Sequence, residues 1–201
     1  MEEIRKIYAC YNERTIRVYQ AYNNEIADQA VNTGHFGDKF KIDRMTWIKP
    51  SFLWMMYRSG WAEKEGQERI LAIDLKIEGF RAIIQSAVLS AYDKSIYESY
   101  EQWEGRKLHS DVRCQWDPDR DIYLQPMERR AIQLGIKGRM VHKYVNEWID
   151  EITDITKQVH NLKTLLDTKQ ISQMELPDER EFILTEEEKT ILGTYNISET
   201  T

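Results

Sequence analysis

"TIRVYQAYNNEIADQAVNTG", Thr15 to Gly34, sets two structural periods back to back. Its first eight residues are rich in β-branched and aromatic side chains, which fit a pleated surface, so the segment reads as a strand. The period then changes. Asn23 or Asn24 can cap a helix, Ile26, Ala27, Ala30 and Val31 recur at helical spacing, and Gly34 stops the turn. A strand feeding directly into a helix is the pattern that the following residues repeat. "RMTWI" is a short strand entering Pro50, which holds Lys49 extended and suits the first turn of a helix, "PSFLWMMYRS", closed by Gly60. "ERILAIDL" follows as a strand whose near-continuous apolar run predicts burial on both faces.

Farther along, "GFRAIIQSAVLSAY" carries the helical period and "SIYESYEQWEGR" a second, more exposed one. A β meander is expected next. "DVRCQWD" and "DIYLQP" flank the turn formers of "DPDR", and "RRAIQLGI" supplies a third strand with Ile132, Leu134 and Ile136 on one face. "RMVHKYVNEWIDEI" reads as an amphipathic helix, and "ITKQVHNLKTLLD" continues helical. There is no internal repeat. The expected fold class is α+β: one domain over residues 1–168 with a mostly antiparallel, mixed sheet flanked by helices, then an acidic tail over residues 169–201.

With 201 residues and 41% hydrophobic content, the chain can bury a substantial core. From Glu151 onward eleven Asp or Glu face five Lys or Arg, which accounts for the whole net charge of −6. The first 150 residues are neutral, so a local basic patch for an anionic ligand is compatible with the overall acidity. The charged start "MEEIRKIYAC" and the lack of any 18-residue apolar run predict a soluble, cytoplasmic protein without a membrane partner. Cys10 and Cys114 have no CxxC partner, and His35, His109, His142 and His160 are scattered, so no metal is expected.

The residues most suggestive of function lie between Lys41 and Trp61, which hold three of the six tryptophans. Trp54, Tyr57, Arg58 and Trp61 share one helical face. Aromatic clusters mostly serve packing, and a core helix is one reading. The polar members point elsewhere. Arg44, Lys49 and Ser51 bracket a helix amino terminus whose free amides and dipole favour an anion. No Walker or GxGxxG loop accompanies them.

"TIRVYQAYNNEIADQAV", "DRMTWIKPSFLWMMYRSGWAEKEGQERILAID", "VRCQWDPDRD" and "RAIQLGI" resemble the signature blocks of the bacterial and fungal domain of unknown function family 4291. A shorter resemblance, "RVYQAY" followed by "EIADQAVNTGHF", is to the way ADP-ribosyltransferase-like folds open, with a strand Arg or His near the dinucleotide and then a helix. It implies Arg17, with Tyr19 and Gln20, near a ligand, and an acidic residue on a later strand beside the nicotinamide ribose. Here that place falls to Gln133, or to Glu128 just before it, and the Gln departs from the transferase pattern. The resulting expectation is a nucleotide-binding enzyme, a transferase acting on NAD or another nucleotide. Arg17, Arg44 and Lys49 would neutralise phosphates while Trp47, Trp54 or Tyr57 stacks on a base. The alternative is a non-catalytic module binding single-stranded RNA through interleaved aromatic and basic residues. For Arg17 the partner is either a ligand phosphate or an internal carboxylate, Asp43, Glu68 or Asp74.

Overall fold

The computed structural model describes residues 5–194. In chain order the elements are β1 (Tyr8–Ala9), β2 (Thr15–Tyr22), α1 (Asn24–Thr33), β3 (Thr46–Ile48), α2 (Phe52–Ser59), β4 (Arg69–Lys76), α3 (Ile77–Gln85), β5 (Ala87–Leu89) and α4 (Tyr100–His109). Then follow β6 (Val112–Arg120), β7 (Pro126–Ile136), α5 (Gly138–Lys143) with a π turn to Trp148, β8 (Ile149–Asp154), α6 (Thr156–Asp167), β9 (Arg180–Glu181) and α7 (Glu186–Leu192). The arrangement is α+β, with the strands in three sheets of order β1-β9, β2-β4-β8 and β3-β7-β6-β5. All pairings are antiparallel except β5 with β6. No helix of the described residues is long and apolar enough to cross a membrane.

Both faces of the three-stranded sheet are covered, as the apolar run of β4 predicts. Ile16, Val18, Leu71, Ile73 and Leu75 point into the larger core with α1, α3 and the four-stranded sheet. Tyr19, Ile70 and Ala72 point into a smaller core with α2 and α6. The local signals at the head of the chain hold: Asn23 caps α1 through Ile26 N–H and Gly34 ends it at φ 76°. Ser51 caps α2 and Gly60 ends it at φ 59°, with the Trp61 N–H on the Met56 carbonyl.

Four expectations are corrected. The helix at Gly79–Tyr92 stops at Gln85, because Ser86 turns its hydroxyl back onto the Ala82 carbonyl and the buried Ala87–Leu89 adds to β6 as a parallel strand. "DPDR" is not the turn. It continues β6 through a bulge near Asp119, where Pro118 needs no N–H, and the reversal comes at Asp121–Gln125, whose N–H groups the Asp121 side chain collects. The meander is therefore one hairpin. The helix expected through Ile152 ends at Trp148, and Ile149–Asp154 pairs with β4. Lastly, the described part of the expected tail packs onto the domain. β9 pairs with β1, Phe182 and Leu192 are buried, and α7 starts in a capping box between Thr185 and Glu188; residues 195–201 lie outside the described residues.

Two of the proposed ligand contacts are also met from within. Arg17 faces Asp74 across β2 and β4, and its guanidinium forms a two-pronged pair with that carboxylate at 2.8 and 2.7 Å. The amino terminus of α2, expected to hold an anion, receives the protein's own carboxylates: Phe52 N–H donates to Glu179 Oε1 at 2.6 Å and Ser51 Oγ to Asp119 Oδ1 at 2.9 Å. Asp119 is 1% exposed and paired with Arg129 at 2.8 Å, so the helix dipole and one cation balance the buried charge.

Arg17→Lys should therefore lower the melting temperature by a few degrees, since a point charge forfeits the fork at a half-exposed pair worth about 1 kcal/mol. Differential scanning calorimetry checks it, and an unchanged transition would deny the pair a structural role. Glu179 gives a pH test. Burial pushes its carboxyl from 4.5 up to about 8, with Asp119 adding to the rise and the Phe52 amide opposing it. The folded state thus holds a proton that the unfolded chain has released, and this stabilisation, full at low pH, is lost as pH rises through about 8. Glu179→Gln keeps the acceptor for Phe52 and removes the titration. Its melting temperature should fall less than the wild type's between about pH 5 and pH 9, and parallel curves would refute the assignment.

Candidate functional site

The period of two along β3, β6 and β7 builds the site. Ile48, Cys114, Ile132, Leu134 and Ile136 turn to the larger core. The alternate residues, Trp47, Gln115, Asp117, Gln133 and Gly135, share the opposite face, in register through the pairs Trp47 with Gly135 and Gln115 with Gln133. Lys49, two residues beyond Trp47, lies on the same side. Gly135 is required there: a Cβ would stand 2.6 Å from Met45 Sδ and 2.9 Å from the Trp47 ring. Helix α2 walls the face with Trp54, Tyr57 and Arg58.

The result is a cleft of two neighbouring cavities that share part of their lining. One, about 460 Å3, is lined by Trp54, Tyr57, Gln115, Asp117, Arg120 and Gln133. The other, about 690 Å3, carries Lys39, Lys41 and Arg44 against Glu25 and Glu65. Trp47, Lys49 and Arg58 line both. In the smaller cavity the Tyr57 ring stacks on Trp54 at 5.2 Å, and the Arg120 guanidinium sits over Tyr57 at 3.7 Å. Trp54 Nε1 and Arg120 Nε are buried without a hydrogen-bond partner among the described residues. The Asp117 carboxylate is clamped by two amides, Gln133 Nε2 at 2.7 Å on Oδ2 and Gln115 Nε2 at 2.9 Å on Oδ1. Lys49, 8% exposed, donates to the Trp47 carbonyl at 3.1 Å. Burial first, then the nearby Arg58 charge, brings its ammonium down from 10.5 to about 7, against the pull of Asp117.

Of the residues expected at the site, Arg44, Trp47, Lys49, Trp54, Tyr57, Arg58 and Gln133 converge on this cleft. Five do not serve as expected. Arg17 is tied to Asp74. Tyr19 is a core residue at 1% exposure, packed edge-on against Phe52 at 5.5 Å. Gln20 borders the larger cavity, but its amide is committed: Nε2 to Thr46 Oγ1 at 2.7 Å and to the Trp47 carbonyl, Oε1 to Tyr144 Oη at 2.6 Å. Ser51 is a cap bonded to Asp119. Glu128 is exposed on the hairpin and lines neither cavity. The sequence reading missed Gln115, Asp117 and Arg120. The alternation of "VRCQWD" places the first two on the face of Gln133, while taking "DPDR" as a turn hid Arg120.

Residues 6–182 match the family model of a domain of unknown function, DUF4291. No curated protein matches the chain. The two ends of the matched region meet in the fold, where Phe182 N–H donates to the Ile7 carbonyl at 2.8 Å, so the match covers all three sheets and the cleft. The chain belongs to the DUF4291 family.

Proposed function

We propose that the protein binds a nucleotide in this cleft and acts on it as a transferase of the ADP-ribosyltransferase kind, cleaving the bond between ribose and base in NAD or a related nucleotide. The observation that carries the reading is the Asp117 carboxylate, held by two amides on the wall of the cavity that the Trp54–Tyr57–Arg120 stack encloses. The transferase pattern places an acid on a later strand. The resemblance gives that place to Gln133, whose amide holds Asp117, one strand away, on the lining of the same cavity.

Each part has a chemical task. The Tyr57 ring and the Arg120 guanidinium on the cavity wall offer faces for a base plane. Arg44, Arg58 and Lys41 give the larger cavity the positive charge that phosphates require. As the bond from C1′ to the base breaks, its electron pair leaves with the base and positive charge gathers on the ribose. A fixed carboxylate stabilises that charge without reorganising. Concavity favours a mononucleotide over an RNA strand. Trp54 and Trp61 are 4% and 2% exposed, which leaves no open platform on which successive bases could stack.

Titration with NAD, ATP and oligoribonucleotides of increasing length, each at low and high salt, tests the reading. Affinity should be independent of length. Tyr57→Ala should weaken it about 5- to 150-fold, the value of one stacking contact. Asp117→Asn should leave binding within a few-fold while base release from NAD, followed by chromatography, falls at least about 100-fold. Affinity that grows with oligonucleotide length and collapses in salt would assign the cleft to RNA instead.

A further inference from the structure

Lys49 has no task in that chemistry, and its setting is unusual for a lysine. Its ammonium is buried where β3 runs into α2, on the wall shared by both cavities. Its one hydrogen-bond acceptor is the Trp47 carbonyl, and it has no ion pair among the described residues. The nearest acid whose charge it feels, Asp117, is already held by two amides. Arg58 faces it from α2, and Arg44, Glu25 and Glu65 line the larger cavity beside it, with Arg120 in the smaller. The backbone cannot drift: Lys49 carbonyl accepts Tyr19 N–H at 2.8 Å and Pro50 follows. A buried ammonium without a counter-charge is expensive, so the site favours the neutral amine, which is a nucleophile.

We propose that Lys49 is a carbonyl-capturing amine, forming an imine with the open-chain aldehyde of a phosphorylated sugar held in the cleft. The Lys49 nitrogen pair attacks the aldehyde carbon, the C=O π pair moves to oxygen, and a proton passes from nitrogen to that oxygen to give the carbinolamine. Expulsion of the hydroxyl as water, with loss of the second amine proton, leaves C=N; one water is released and nothing is oxidised or reduced. Lys39, Lys41 and Arg44 of the larger cavity supply the charge for the sugar's phosphate. The inference deepens the nucleotide reading, because a ribose freed of its base equilibrates with such an aldehyde, but it rests on the same cleft and not on the identity of the base.

The test uses the full chain, ribose 5-phosphate and sodium cyanoborohydride, with peptide mass spectrometry. Lys49 should carry the sugar phosphate less one oxygen, at least about ten times faster near neutral pH than exposed lysines such as Lys94 and Lys157. Its rate should level off above about pH 7, the value burial imposes. Unphosphorylated ribose should label it poorly, and Arg44→Ala should slow it. Lys49→Arg should abolish the adduct, but the comparison among lysines of the wild-type protein stands even if that variant does not fold. Labelling of Lys49 no faster than its surface neighbours, or equally by free ribose, overturns the proposal. Selective labelling in a protein that binds no nucleotide upholds it and removes the nucleotide reading; nucleotide binding without selective labelling does the reverse.

Discussion

The side-chain amide of Gln20 holds the two main sheets in register. It is 3% exposed, yet both ends are satisfied: its nitrogen reaches Thr46 and the Trp47 carbonyl on β3, and its oxygen takes the Tyr144 hydroxyl from the π turn. An unpaired buried amide group costs about 1 to 3 kcal/mol, so the arrangement is favourable only when β2, β3 and the π turn stand in one relative position. The Tyr19 N–H to Lys49 carbonyl bond repeats the constraint on the preceding residue of β2. Together they fix where β3 leaves the sheet and therefore where Trp47 and Lys49 point. The cleft follows from this junction more than from any loop.

Beyond the junction, the four-stranded sheet separates its two jobs by face. One face is apolar and closes the larger core, while the other carries Gln115, Asp117 and Gln133 beneath α2. Stability and recognition consequently draw on alternate residues of the same strands. Substitutions two apart along β6 or β7 act on the same property, and neighbours act on different ones.

What the sequence made legible was local. The cap at Asn23, the stops at Gly34 and Gly60, and the apolar run of β4 depend on residues a few positions apart, and each stands where the reading put it. The strands at Ala87–Leu89 and Ile149–Asp154 were missed because their pairing partners, not their own periodicity, make them strands. The site shows the same division. Trp47, Lys49, Trp54, Tyr57 and Arg58 are found together because they are close in the chain. The misassigned cations and caps failed on distant partners: Asp74 for Arg17, Asp119 for Ser51, and Glu179 at the α2 amino terminus. Spacing says that such a group needs a partner; only the topology says which carboxylate arrives first.

The return of the chain end to its beginning has a consequence for biosynthesis. β1 pairs with β9, and α2, complete as a sequence by Ser59, receives its amino-terminal acceptor from Glu179. A ribosome releases the chain in order, so the partner of residue 52 emerges more than a hundred residues after it. Until then the first strand keeps an open edge and the helix an unmet amide. Such long-range closure is slow, and it leaves an unpaired strand edge through nearly the whole synthesis of the chain.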